Sequence, residues 1–158
     1  MTEKLQKALN DQITAELWSA NLYLSMSFYL EKEGFSGMAE WMRKQSAEET
    51  EHAWEIASYM AKRDAWAKVE KVDVVPQSWD DPVKVFDNAL EHEKRVTKLI
   101  DDLVQLATEE KDNATIDFLW GFVKEQVEEE GKFLKVVNLL KRASETGIYY
   151  LDANIGKF

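Results

Sequence analysis

Residues 48–52 read Glu48-Glu49-Thr50-Glu51-His52, inside a run whose inward positions recur at helical spacing: Met38, Trp41/Met42, Gln45, Glu49, His52, Ile56 and Met60. Side chains three and four residues apart share one helix face. Glu49 and His52 therefore project from the same face that Met42 and Ile56 bury. A buried carboxylate is costly unless it is paired, hydrogen-bonded or metal-bound. The pair thus predicts a helix in a bundle whose other helices send compensating groups to the same depth.

Three further segments repeat the pattern. The first helix is expected from about Thr2 to Glu33, ended by Gly34, with the stripe Leu5, Leu9, Ile13, Glu16, Ala20, Tyr23/Leu24 and Phe28. Ser36 reads as the cap of the second helix, which reaches about Arg63. From Asp64 to Asp80 the period fails, and Val69, Val72, Val74, Val75 and Pro76 suggest an extended connector. Such a length is unusual between bundle helices. It lets the next helix start from the far end, giving a crossover bundle rather than a simple up-down array. Asp81-Pro82 is a strong start signal for a third helix to about Glu110, with Phe86, Ala89, Glu93, Val96, Ile100, Leu103 and Ala107 inward. After the turn Lys111-Asp112-Asn113, a fourth helix from about Ala114 to Ser144 carries Leu119, Phe122/Val123, Gln126, Glu129, Phe133, Val136/Val137 and Leu140. The apolar segment at about residues 147–156 reads as a short fifth helix docked on neighbouring subunits. The expected fold is all-α, a four-helix bundle over about residues 2–144 plus that helix, in a single domain of residues 1–158.

Composition agrees. The chain has 158 residues with only 6 Gly and 2 Pro, and no Cys, which excludes disulfides and thiolate-bound zinc or iron–sulfur centres. A formal charge of −10 disfavours nucleic acid and anionic membrane as partners and draws in cations. The longest uncharged run, Leu17 to Leu30, is short of the roughly 20 apolar residues of a bilayer span. The charged start Met1-Thr2-Glu3-Lys4-Leu5 lacks the apolar core of a signal peptide, so a cytoplasmic protein is expected.

Each of the four long helices thus interrupts its apolar stripe near the middle, with Glu16, with Glu49 and His52, with Glu93, and with Gln126 and Glu129. One such interruption is unremarkable in a chain with 30 acidic residues. Four on four helices converge only if they share a site. Hard oxygen donors with one imidazole suit iron or manganese, and zinc is also compatible. Four carboxylates balance two divalent cations, and Glu49 is the natural bridge. His92, about 100° around the helix from Glu93, reads as solvated or interfacial. Trp18, Trp54, Trp66 and Trp79 fall partly off the stripes and read as interface residues. Glu125 and Glu128 flank the Gln126/Glu129 pair beside Glu48 and suggest an outer cluster for a third ion.

These residues resemble a bacterial non-haem ferritin over nearly the whole chain. The resemblance rests on Ala8-Leu9-Asn10-Asp11-Gln12-Ile13, Leu22-Tyr23-Leu24-Ser25-Met26, Glu48-Glu49 with His52-Ala53, Glu91-His92-Glu93, Glu125-Gln126-Val127-Glu128-Glu129-Glu130 and Tyr149-Tyr150-Leu151-Asp152. It implies a ferroxidase centre in which Glu16, Glu49 and His52 hold one iron and Glu49, Glu93 and Glu129 the second. Gln126 would hydrogen-bond nearby and Tyr23 lie beside the centre. Glu48, Glu125, Glu128 and Glu129 would match a third iron site. It further implies Fe(II) oxidation by O2 or H2O2 and storage of ferric mineral in a hollow homo-oligomeric shell of about 24 subunits. A soluble di-iron oxidase or oxygenase, or a purely structural iron-storage shell, are the alternatives.

Related families fit less well. Bacterioferritins carry a second Glu-x-x-His and a haem-ligating Met, where this chain has Gln126-x-x-Glu129 and Thr50, so no haem is expected. Rubrerythrins require an iron–thiolate domain. The DNA-protecting mini-ferritins lack the fifth helix. The pore carboxylates of animal ferritins are replaced by Ile116 and Leu119, and the Trp of several bacterial relatives falls at Gly121, with Trp120 beside it.

Overall fold

Backbone donors at a helix start need acceptors, and four of the five helices receive them from their own cap residue. Thr2 accepts from the Leu5 amide, Asp81 from Lys84, Asp112 from Thr115 and Ser144 from Gly147. The computed structural model describes residues 1–158 as α1 (Glu3–Lys32), α2 (Ser36–Lys62), α3 (Pro82–Glu109), α4 (Asn113–Arg142) and α5 (Glu145–Asn154), with a final 3-10 turn Ile155–Lys157. The chain is thus all-α, as the stripes predict. No helix is long and apolar enough to cross a membrane.

The start of α2 differs from expectation. Ser36 lies inside the first turn, with its hydroxyl 3.3 Å from Glu31 Oε1, and the cap residue Phe35 has no side-chain acceptor to offer. Asp152 of α5 supplies it, Oδ1 accepting from the Met38 amide at 2.8 Å. The fifth helix also begins earlier than expected, at Glu145, because Ser144 caps it and Gly147 is carried inside its first turn. It packs on its own chain, at α2. That approach depends on Gly37, where an added Cβ would lie 1.9 Å from the Asp152 carbonyl oxygen. Gly37→Ala is therefore expected to lift α5 off the bundle, seen as loss of amide hydrogen-exchange protection across residues 145–157. Asp152→Ala should cost only about 1 kcal/mol, the usual worth of a cap.

Three helices end in the same turn. After α1, the Phe35 amide donates to Leu30 O and Gly34 to Glu31 O; Ala65 and Asp64 repeat this after α2, Asp112 and Lys111 after α3. The left-handed residue is Gly34 (φ 88°) in the first, Asp64 (φ 54°) in the second and Lys111 (φ 56°) in the third. Only the first of these could be recognised from its glycine.

Short turns make α1/α2 and α3/α4 antiparallel hairpins. The connector runs the length of α1: Asn10 holds the Trp66 carbonyl (3.0 Å) and the Lys68 amide (2.7 Å), Ser25 donates to Pro76 O, and Trp79 meets the edge of Tyr29. The chain therefore reaches α3 at the end opposite to where α2 finished. The directions are up-down-down-up, the crossover that the connector's length predicts.

The inward stripes of α2, α3 and α4 are buried as read, with Trp41 and Val123 only partly so. In α1 the stripe turns away: Leu24 and Phe28 are exposed (36% and 67%), while Met26, Ser27 and Leu30 take the inner face. The core is in two pieces. Leu22, Met26, Met42, Phe86, Phe133 and their neighbours form one cluster, and Leu5, Leu9, Ile56, Ile100, Leu119 and theirs the other. Between them lies a layer of buried polar side chains.

Candidate metal centre

That layer contains every residue at which the stripes were interrupted. Glu16, Glu49, His52, Glu93, Gln126 and Glu129 are each no more than 5% exposed. One ligand atom from each of Glu16, Glu49 and His52 can be chosen so that all lie within 4.8 Å of one another. His52 Nδ1 stands 3.1 Å from Glu49 Oε2 and 3.7 Å from Glu16 Oε2. Gln12 fixes the other oxygen of Glu16, donating to Oε1 at 2.9 Å. Glu16 Oε2 is left buried with no hydrogen-bond partner. Such an atom is unfavourable, and in a cluster of carboxylates with an imidazole a cation is the partner that fits.

Glu93 and Glu129 reach the same layer but are held by partners of their own. The Tyr23 hydroxyl donates to Glu93 Oε1, and Gln126 Nε2 donates to Oε2 at 3.1 Å. Gln45 Nε2 donates to Glu129 Oε2 and Lys132 Nζ to its Oε1, both at 2.9 Å. The two hairpins contribute differently: α1/α2 brings Glu16, Glu49 and His52 together, while α3/α4 brings two carboxylates, each in its own hydrogen-bonded cradle.

Protonation follows from these contacts. Burial pushes the Glu49 carboxyl well above its usual range, and burial raises Glu93 to about 7. Burial also opposes charge on Glu16, but the neighbouring His52 and Glu49, with the hydrogen bond from Gln12 to Oε1, outweigh it and leave that carboxyl below its ordinary value. His52 is likewise penalised by burial, yet Glu125, Glu16 and Glu49 together hold it protonated above its usual pKa. Burial, then the neighbouring Glu93 charge, keeps the Tyr23 phenol neutral.

The remaining predicted residues fall outside this arrangement. Glu125 turns to His52 Nε2 at 2.8 Å, and that hydrogen bond lowers its carboxyl. Glu48 and Glu128 are exposed, Glu48 with Lys132 Nζ 3.6 Å away.

His92 corrects the sequence reading. It is buried, with Nε2 2.7 Å from Ser19 Oγ, and its ring lies against Trp18 and the edge of Tyr23. Burial lowers its pKa to about 4, so it is neutral. The side of α3 that carries His92 is covered by α1 as well, which a single-helix stripe cannot reveal. Of the four off-stripe tryptophans, Trp18 and Trp79 pack within the chain, whereas Trp54 and Trp66 are 69% and 75% exposed. Sequence reasoning missed Lys132, Gln12 and Thr97, which accepts from Gln126 Nε2 at 3.2 Å. A lysine three residues after a glutamate looks like an ordinary surface pair.

The Ferritin-like domain family matches residues 6–143. The chain is 57% identical over 157 residues to the bacterial non-heme ferritin of Bacteroides fragilis (strain 638R), covering 99% of each. A bacterial non-heme ferritin of Campylobacter jejuni is 33% identical, with 98% of this chain and 94% of the relative covered. Among solved structures, an open pore ferritin from Archaeoglobus fulgidus superposes with a TM-score of 0.96 at 42% identity, covering 98% of this chain and 96% of its own. With the buried carboxylate–imidazole layer where the helices predict it, the chain belongs to the bacterial non-heme ferritins, the iron-storage family that its sequence resembles.

Proposed function

We propose that this chain oxidises Fe(II) at the buried layer before storing it as ferric mineral, in a cytoplasmic shell of about 24 copies of the same single domain. The observation that carries the reading is Glu16 Oε2, an acceptor without a partner beside Glu49 and His52 in a dry layer. Iron is here the substrate. Glu16, Glu49 and His52 hold one Fe(II), and Glu49 with Glu93 and Glu129 the other. Gln126 and Tyr23 orient Glu93. Two Fe(II) give one electron each to O2, which with two protons leaves as H2O2 and two Fe(III); with H2O2 as oxidant the same two electrons yield water. Carboxylates stabilise the harder Fe(III), and a single imidazole offers little to retain Fe(II). Thr50, whose hydroxyl turns back to Ser46 O at 3.2 Å, supports the expectation that no haem is bound.

The test is anaerobic Fe(II) titration followed by oxygen admission. Two ions per chain, consumption of one O2 per two Fe(II), and a native mass of about 24 chains are expected. A monomer or dimer that consumes O2 only with an organic compound would identify an oxidase or oxygenase instead.

A further inference from the structure

The carboxylates expected to gather a third ion do not converge on open space. Glu125 is engaged with His52 Nε2 at 2.8 Å. Glu128 is exposed. Glu129 and Glu48 face one occupant, the ammonium of Lys132, at 2.9 Å from Glu129 Oε1 and 3.6 Å from Glu48 Oε2. The same nitrogen donates to Gln45 Oε1 and lies 5.5 Å from the centroid of the Trp41 ring. Its side chain is 30% exposed.

We propose that the Lys132 ammonium is a tethered cation standing where a third metal ion would bind, so that this centre takes two ions rather than three. The inference rests on the metal-centre reading above. Lys132 follows Glu129 by one helical turn on α4, and Gln45 and Glu48 stand one turn apart on α2. The lysine therefore holds an oxygen of its own helix and reaches across the gap to two oxygens of α2. An ammonium has three donors and no acceptor; here two are used by Glu129 and Gln45, and Glu48 stands nearest the third. A divalent ion entering between Glu48 and Glu129 would have to break both hydrogen bonds and then sit beside the displaced positive charge. The second ion is not blocked in the same way. A carboxylate offers about four lone-pair positions over its two oxygens, so Glu129 can keep Lys132 on Oε1 while turning toward the centre. No partner of Lys132 belongs to the Glu16/Glu49/His52 group.

The decisive measurement counts Fe(II) bound by the full-length, assembled protein under strict anaerobiosis, by equilibrium dialysis. Wild type should bind two per chain. Lys132→Met should bind three, and the added ion should vanish again in Lys132→Met/Glu48→Ala. Lys132→Arg, which keeps the charge, should stay at two. Lys132→Gln, which keeps a donor to Glu129, provides a second uncharged variant should methionine disturb the packing over Trp41, and it too should bind three. Three ions in wild type, or two in both uncharged variants with native helicity and mass, would overturn the assignment. A Glu49→Ala protein that still binds the wild-type number would instead sink the reading of the centre itself, and this inference with it.

Discussion

In Glu49→Ala the rate of aerobic Fe(II) oxidation is expected to fall by at least about 100-fold, since removing even an outer-shell group of a metal site costs 10- to 100-fold. Stopped-flow absorbance of ferric product at two Fe(II) per chain reads it directly. Glu49 is the one carboxylate assigned to both ions, it is 2% exposed, and its Oε2 is 3.1 Å from His52 Nδ1. Losing it also removes a hydrogen-bond partner of His52. Glu128→Ala is the contrast: the residue is exposed and outside the Glu16/Glu49/His52 group, so its rate should stay near wild type. Comparable losses in both variants would show that general acidity, rather than this arrangement, drives the reaction.

The second large effect is on stability. In protein stripped of metal by chelation, the denaturant midpoint should fall as pH rises from about 4.5 to about 7. Glu93 is raised to about 7 in the folded chain by burial, against an ordinary 4.5. Over that window the unfolded chain has released a proton that the folded chain retains. The stabilisation is therefore complete below the lower value and gone above the upper one, at most about 3 kcal/mol. Glu49, raised by burial, acts in the same direction. His52, also raised, adds to the fall above its ordinary 6.5. Glu16 and Glu125 are lowered and act oppositely, losing their contribution only as pH falls below the ordinary 4.5. Adding Fe(II) anaerobically should restore the midpoint near pH 7 with release of protons, because the ligands bind in their deprotonated forms. A midpoint that is flat or rises over this range would contradict the buried, protonated state of Glu93.

Much of this was readable from spacing. The stripes of α2, α3 and α4 placed Glu49, His52, Glu93, Gln126 and Glu129 at one depth because three- and four-residue periodicity fixes a face. Where one helix is covered on two sides, that rule fails. His92 is buried because α1 lays Trp18, Ser19 and Tyr23 across it. Leu24 and Phe28 read as inward because apolar residues fill both sides of α1 there, yet Met26, Ser27 and Leu30 take the inner face. Ser27 gave no apolar signal, since its place depends on a hydrogen bond to Ala39 O at 2.8 Å. The cap from Asp152 to Met38 joins residues 114 apart in sequence, and no local motif announces it. Lys132 was missed for a different reason. Its partners Gln45 and Glu48 lie on another helix, and only tertiary packing turns an i,i+3 pair into a bridge across the bundle.

The division of the apolar interior into two clusters by a polar waist bears on how long each copy survives. A bound cation stabilises by RT ln(1 + [L]/Kd), so a chain whose waist is filled opens less often than one whose waist is not. Cleavage of a transiently opened protein tracks the population of the open form when reclosing is fast. Turnover would then fall first on copies that have met no metal, and a protein built to hold a cargo would be culled according to whether it carries any.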